Sequence, residues 1–228
     1  MTCALVVPAA GRGERLGAGL PKALVPVAGE PLLVHALRRA LASGVVDVVV
    51  VVAPEGEQQH VRDLLSPLGA HRLVVVPGGA ERQDSVRRGL AALPADVDVV
   101  LVHDAARCLT PPAVFRQVVD AVRGGAVAVV PALPVSDTVK RVDARARVVE
   151  TVDRSELVAV QTPQGFACAP LRAAHEAAAG AAPATDDAGM LEALGHEVLT
   201  VAGHDSAFKV TRPVDLVLAE ALLSGGRA

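Results

Sequence analysis

The chain has 228 residues, a formal net charge of -3 and 51% hydrophobic residues, enough for one large α/β domain with a real core. Its only aromatic residues are Phe115, Phe166 and Phe208. That composition excludes a stacking platform for single-stranded nucleic acid, and the charge balance excludes a broad basic nucleic-acid surface.

Cys3, Cys108 and Cys168 are odd in number and widely spaced, which suits neither a disulfide framework nor a zinc site. They read as buried or idle thiols of a reducing compartment. The seven histidines show no metal-binding spacing. No signal segment or uncharged run of 18 residues is recognisable, so the expectation is a soluble cytoplasmic protein without membrane contact.

The first apolar run, Ala4-Leu5-Val6-Val7, predicts a buried strand. It breaks at Pro8 into a glycine-rich loop carrying Arg12, Arg15 and Lys22. Small residues let backbone N–H groups approach an anion, and cations add the charge a polyphosphate needs. Such a loop directly after the first strand lies where open α/β sheets place ligands. The dinucleotide fingerprint is excluded because Leu16 stands where its third glycine belongs. The P-loop is excluded because Lys22 lies between Pro21 and Ala23.

Pro31 opens a helix with Leu33, Leu37 and Leu41 on one face, and Gly44 stands where a C-cap belongs. Residues 45–52 read as a strand apolar on both faces, the pattern of a parallel strand covered by helices. A helix over 58–65 and a strand over 73–76 follow. Gly78 and Gly79 then lead into a helix with apolar Val86, Leu90 and Leu93, repeating the opening strand–loop–helix layout. Arg82 and Ser85 near its start are candidates for contact with a base, ribose or phosphate.

The fourth strand spans 97–102 and ends at His103-Asp104-Ala105-Ala106-Arg107. A carboxylate at that edge suits Mg²⁺, a hard cation that prefers carboxylate and phosphate oxygens. The alternative is a capping or salt-bridging Asp104; the phosphate loop at the first strand tips the reading toward metal. A helix over 113–122 returns to a fifth strand over 126–130, where regularity stops. Residues 136–154 read as a hairpin arm around Asp143-Ala144-Arg145. The chain returns to the sheet through 157–166. Helices over 171–179 and 186–194 flank a small linker over 181–184. A last strand spans 198–201, and a closing helix starts near Arg212-Pro213. The fold class is therefore α/β: one doubly wound, mostly parallel, Rossmann-like domain over 1–228 with an inserted β-arm.

Several separated motifs, PAAGRGERLG, PKAL, GGAERQDSV, LVHDAAR, DTVK, TVDR, QTPQGF and FKVTRP, occur together and in order. In combination the chain resembles the 2-C-methyl-D-erythritol 4-phosphate cytidylyltransferase family over nearly its whole length. The resemblance implies a nucleotidyltransferase that takes CTP as co-substrate. Pro8, Ala9, Ala10 and Gly11, with Gly79, Arg82 and Ser85, would hold CTP. Arg15 and Lys22 would hold its phosphates and, with Lys209, carry the catalytic positive charge. Asp104 would bind Mg²⁺ or another divalent cation. Arg107, Thr138, Arg154, Thr162 and Lys209 would surround the polyol phosphate. It also implies a homodimer whose arms cross to share the sites. Two positions depart from the family pattern: Ala80, often Asp, and Ala207, often Asn; the latter is expected to loosen the Lys209 loop. A ribitol 5-phosphate cytidylyltransferase and a non-catalytic nucleotide-binding regulator are the competing readings.

Overall fold

The structure, a computed structural model, describes residues 1–11, 16, 19–178 and 184–225. Its centre is the pair β1 (Thr2–Pro8) and β4 (Val48–Ala53), apolar runs with almost no exposed side chain. Around them the large sheet adds β5 (Leu73–Pro77), β6 (Val97–Val102), β7 (Ala128–Pro134), β10 (Val158–Val160), β11 (Gln164–Ala167) and β12 (Val198–Ala202). The strand order is β10-β7-β11-β6-β1-β4-β5, with β12 also paired to β7. The β5-β4-β1-β6 half is entirely parallel, whereas β11 runs antiparallel to both β6 and β7. The chain grows outward from β1 through β4 to β5, then returns to β6 on the other side. That reversal makes the carboxyl end of β1 the switch point of the sheet.

Successive side chains of β1 face opposite ways, so each face needs its own helices. Leu5 and Val7 pack with Leu33 and Leu37 of α1 (Leu32–Leu41), Val61 of α2 (Gln58–Leu65) and Phe115 of α4 (Pro112–Arg123). Ala4 and Val6 pack on the opposite face with Val86 and Leu90 of α3 (Arg82–Ala91), Leu171 of α5 (Cys168–Ala177) and Met190 of α6 (Asp187–Ala193). This is the doubly wound core that the apolar strand runs predict. All three cysteines are buried and free, and burial pushes the Cys3 and Cys108 thiols up to about 12. No described helix is long and apolar enough to cross a membrane.

Two details differ from the sequence expectation. A small hairpin, β2 (Pro26–Val27) with β3 (Glu30–Pro31), precedes α1 and packs with the closing helix α7 (Pro213–Ser224) through a third apolar cluster. Its strands are too short to show a period. Second, β7 runs on through Pro131 to Pro134 instead of stopping at residue 130. Pro131 falls between the stretches paired to β11 and β10, where its carbonyl accepts from the Gln161 N–H at 2.7 Å. A proline is tolerated there because the ladder on that side is already interrupted.

The arm forms as expected: among the described residues β8 (Val139–Val142) and β9 (Val148–Val152) pair only with each other. Asp143 shapes its tip, its carboxylate accepting from the Arg145 and Arg147 amides and from Arg147 Nε. Part of the expected linker at 181–184 lies outside the described residues.

Helix α4 sits tightly on β11. A Cβ added at Gly165 would lie 2.3 Å from Val118 Cγ1 and 3.2 Å from Leu101 Cδ2. Both neighbours are buried, and Val118 is β-branched and cannot swing aside. Gly165→Ala is therefore expected to lower stability by about 1–3 kcal/mol, measured by urea unfolding.

Candidate active site

A cleft of about 1170 Å³ opens at the carboxyl edge of the parallel strands. Each of β1, β4, β5 and β6 delivers residues to it: Pro8–Gly11, Pro54 and Glu55, Gly78–Arg82, and Asp104–Ala106. The first and third of these loops meet back to back. A Cβ on Gly78 would lie 2.3 Å from Ala10 Cβ, so only glycine permits that approach. Ser85 is buried in the first turns of α3, and its hydroxyl accepts from the Gly79 N–H at 3.1 Å. It fixes the second glycine loop at the cleft wall.

Asp104 is the electrostatic centre. Lys209 Nζ lies 2.8 Å from its Oδ2, and Arg82 Nε lies 3.7 Å from its Oδ1. Burial pushes the Asp104 carboxyl up, but Lys209 and then Arg82 outweigh burial and hold it at about 2. Its backbone is pinned as well: the Asp104 N–H donates to Thr162 Oγ1 at 3.0 Å. Thr162 Oγ1 is also hydrogen-bonded to His103 Nδ1 at 3.0 Å. Burial pulls the His103 imidazole down to about 4, so it is neutral at pH 7.

Among the sequence-predicted residues, Pro8, Ala9, Ala10, Gly11, Lys22, Gly79, Arg82, Ser85, Asp104 and Lys209 all line this one cleft. Arg15 lies outside the described residues. Thr162 is buried just behind the cleft, its hydroxyl engaged by Asp104 and His103. Arg107 donates to the carbonyls of Ala207 at 2.7 Å and Val160 at 3.2 Å, bracing the loop that carries Lys209. Thr138 and Arg154 stand apart, exposed near the base of the arm, where Arg154 Nη1 donates to the Ser136 carbonyl. Arg154 lines a separate hollow of about 370 Å³ with Leu157, Val158 and Thr200.

The departure at Ala207 is absorbed by backbone. Ala207 is fully buried, its N–H donates to the His204 carbonyl at 2.9 Å, and its own carbonyl holds Arg107. The Val210 N–H donates to the Ala106 carbonyl at 2.9 Å, so the Lys209 loop is tied down on both sides rather than loosened. Ala80 lines the cleft with no side-chain polar group to offer.

Sequence reasoning overlooked Asp187, Gln161 and Gln164. Asp187 Oδ2 lies 2.7 Å from Arg82 Nη2. Gln161 exchanges hydrogen bonds with His204, donating to its carbonyl and accepting from its N–H, both at 3.0 Å. Gln164 donates to Asp186 Oδ2 at 2.7 Å and accepts from the Ala188 N–H. The available signal was an acidic pair, Asp186-Asp187, at a helix start, where Asp186 caps the Gly189 N–H.

A divalent cation fits here only together with phosphate oxygens. Among the described residues no group of three or more His, Cys, Asp or Glu side chains could hold a metal. Asp104 offers a carboxylate whose Oδ1 Arg82 approaches only to 3.7 Å, and Glu55 and Glu81 also line the cleft. One or two carboxylates plus substrate phosphates is a usual Mg²⁺ environment.

Fold and cleft together define a nucleotidyltransferase of the doubly wound α/β type. Comparison with known proteins narrows this. Residues 3–225 match the family model described as IspD, 2-C-methyl-D-erythritol 4-phosphate cytidylyltransferase. Proteins of that name from Streptomyces avermitilis and Saccharopolyspora erythraea are 54% and 56% identical to the chain. Each alignment covers 98% of this chain, with 92% and 100% of the relative. The crystal structure of 2-C-methyl-D-erythritol 4-phosphate cytidylyltransferase from Thermus thermophilus superposes with a TM-score of 0.81 at 38% identity, covering 98% of this chain and 100% of that one. A 4-diphosphocytidyl-2C-methyl-D-erythritol synthase from Anaerococcus prevotii gives 0.86 at 27% identity, with 98% of each chain covered. The chain belongs to the 2-C-methyl-D-erythritol 4-phosphate cytidylyltransferase family.

The buried neutral His103 has a consequence for stability. Its pKa is lower in the folded chain than in the unfolded chain, so below about pH 6.5 the unfolded state binds more protons. Its contribution is complete above pH 6.5 and is lost progressively as pH falls toward about 4. Asp104 adds a second loss below its ordinary 3.8, complete near 2. The melting temperature without added metal should fall from pH 6.5 to 4, and His103→Asn should flatten that part of the curve.

Proposed function

We propose that the chain moves CMP from CTP to 2-C-methyl-D-erythritol 4-phosphate, with release of pyrophosphate, in isoprenoid precursor biosynthesis. The observation that carries this reading is the convergence of two glycine loops and the Asp104–Lys209–Arg82 cluster on one cleft at the sheet's switch point. Family membership supplies the substrates.

The chemistry asks for what the cleft contains. A phosphomonoester oxygen attacks the α-phosphorus of CTP in line with departing pyrophosphate. Two anions must meet, and cations at fixed positions offset their repulsion and the charge of the transition state. Arg15 and Lys22 are assigned to the triphosphate by family membership, and Lys209 lines the same cleft as Lys22, beside Asp104. Asp104, together with phosphate oxygens of the substrate, would hold Mg²⁺, which would supply further charge neutralisation. The attacking phosphate is largely ionised near neutral pH, so no general base is required. Cytosine is read by backbone groups of the Pro8–Gly11 and Gly79–Ala80 walls, which carry no aromatic side chain.

The enzyme works as a cytoplasmic homodimer in which each arm brings Thr138 and Arg154 to the partner's polyol phosphate site. Two features support this. Among the described residues the β8–β9 hairpin pairs with no other strand, and Val142, Val148 and Val149 are exposed on it. An isolated two-stranded hairpin is marginal in water. Arg107 and Thr162 contribute from behind the cleft, by holding the Lys209 loop and Asp104.

Pyrophosphate release should appear with CTP and 2-C-methyl-D-erythritol 4-phosphate, and be weak with ribitol 5-phosphate or with ATP. Release with ribitol 5-phosphate alone would reassign the polyol, and no release with either would leave a nucleotide-binding regulator. Lys22→Ala should lose ~10²-fold or more in turnover while staying folded. Mixing Lys22→Ala with Arg154→Ala chains should restore activity in heterodimers if Arg154 acts in trans, because one site then carries neither defect. Confirmed heterodimers without recovered activity would place Arg154 outside the partner's site.

A further inference from the structure

We propose that Asp187 and His175 form a buried anchor that sets the Arg82 guanidinium for CTP, which makes Asp187 a positioning residue of the nucleotide site. The proposal rests on the reading of the cleft as a CTP site.

Asp187 opens α6 and is fully buried. Its Oδ1 accepts from His175 Nε2 of α5 at 3.0 Å, and His175 is itself only 2% exposed. Its Oδ2 faces Arg82 Nη2 at 2.7 Å without an aligned hydrogen bond, so the guanidinium charge compensates that oxygen. A buried carboxylate is costly unless paired, so Arg82 is bound to this position by the need of Asp187 as much as by its own.

The anchor is held on both sides. Gln164 of β11 takes hold of Asp186 and of the Ala188 N–H, the two neighbours of Asp187. Asp186 also caps α6 through the Gly189 N–H at 3.0 Å. The central sheet therefore fixes the Asp187 backbone, and His175 fixes its carboxylate.

Of the three carboxylates near Arg82, Asp186 is engaged by Gln164 and the Gly189 N–H, and the two ion-pair partners are used unequally. Asp187 takes the 2.7 Å contact, while Asp104 Oδ1 stays at 3.7 Å, beyond hydrogen-bond reach. Without Asp187 the guanidinium would be free to close on Asp104, its other ion-pair partner. Arg82 would then leave its place in the cleft wall, and Asp104 would lose the oxygen that Arg82 spares. A guanidinium held at the cleft before the nucleotide arrives loses less freedom on binding.

The test compares wild type, Asp187→Asn, Arg82→Met and the double variant. CTP affinity is measured by calorimetry in chelator, and KM for CTP and for the polyol phosphate are measured separately. Asp187→Asn should weaken CTP binding and raise its KM by about tenfold, the loss expected of one charge-assisted contact. The polyol phosphate KM should move by less than about twofold, and in the Arg82→Met background Asp187→Asn should add less than about twofold. Wild-type CTP affinity in folded Asp187→Asn, or a full additional loss in the double variant, would overturn the anchor.

His175→Leu and His175→Gln keep the test decisive should Asp187→Asn not fold. Leucine should weaken CTP binding, and glutamine, whose amide can donate to Asp187 Oδ1, should restore much of it. Equal CTP affinity in folded His175→Leu and wild type would also overturn the proposal. A wild-type chain that neither binds nor turns over CTP would refute the functional reading itself. Normal wild-type turnover with unaffected variants would refute only the anchor.

Discussion

The cleft depends on one partly buried negative charge, the Asp104 carboxylate. It sits at the end of a central strand with little access to water, an arrangement that costs free energy unless cations compensate it. The compensation comes from two distant parts of the chain, Lys209 before the closing helix and Arg82 at the start of α3. Closing these contacts draws both segments over the carboxyl edge of the sheet. The same two cations that compensate the buried charge then present positive charge to an incoming polyphosphate.

Much of the surrounding polar structure holds those charges in place. Thr162 fixes the Asp104 backbone and leans on a neutral His103. Gln161 binds His204, and Arg107 binds the Ala207 carbonyl, so the loop leading to Lys209 is gripped from two sides. Gln164 grips the start of α6 on the other flank. The short QTPQ stretch, the connection from β10 into β11, thus braces both walls of the site. This bracing explains how Ala207 can serve with backbone atoms alone.

The sequence makes the sheet and its covering helices legible because apolar strand runs with glycine loops after them admit few other packings. It makes the cleft legible too, since every loop flagged for phosphate or metal chemistry lies at the same end of parallel strands. The sequence is less informative about division of labour. Thr162 and Arg107 read as substrate contacts; in the fold Thr162 Oγ1 meets the Asp104 N–H and His103, and the two Arg107 Nη atoms donate to backbone carbonyls while its Nε is left without a hydrogen bond. Arg154 is a further case: its motif reads as part of the site, but the fold places it in a hollow separate from the cleft. Asp187 was invisible for a different reason. It lies 105 positions from Arg82 and resembles an ordinary acidic residue at a helix start, so only the folded chain brings the pair together.

The most direct measurement is the pKa of the Asp104 carboxyl itself, by carbon-13 NMR titration of side-chain carboxylates in wild type and in Lys209→Met. The account predicts a value of about 2 in wild type and a clear rise when the Lys209 charge is removed. An Asp104 that titrates in the ordinary carboxylate range, and does so equally with and without Lys209, would contradict the claim that this paired charge organises the site.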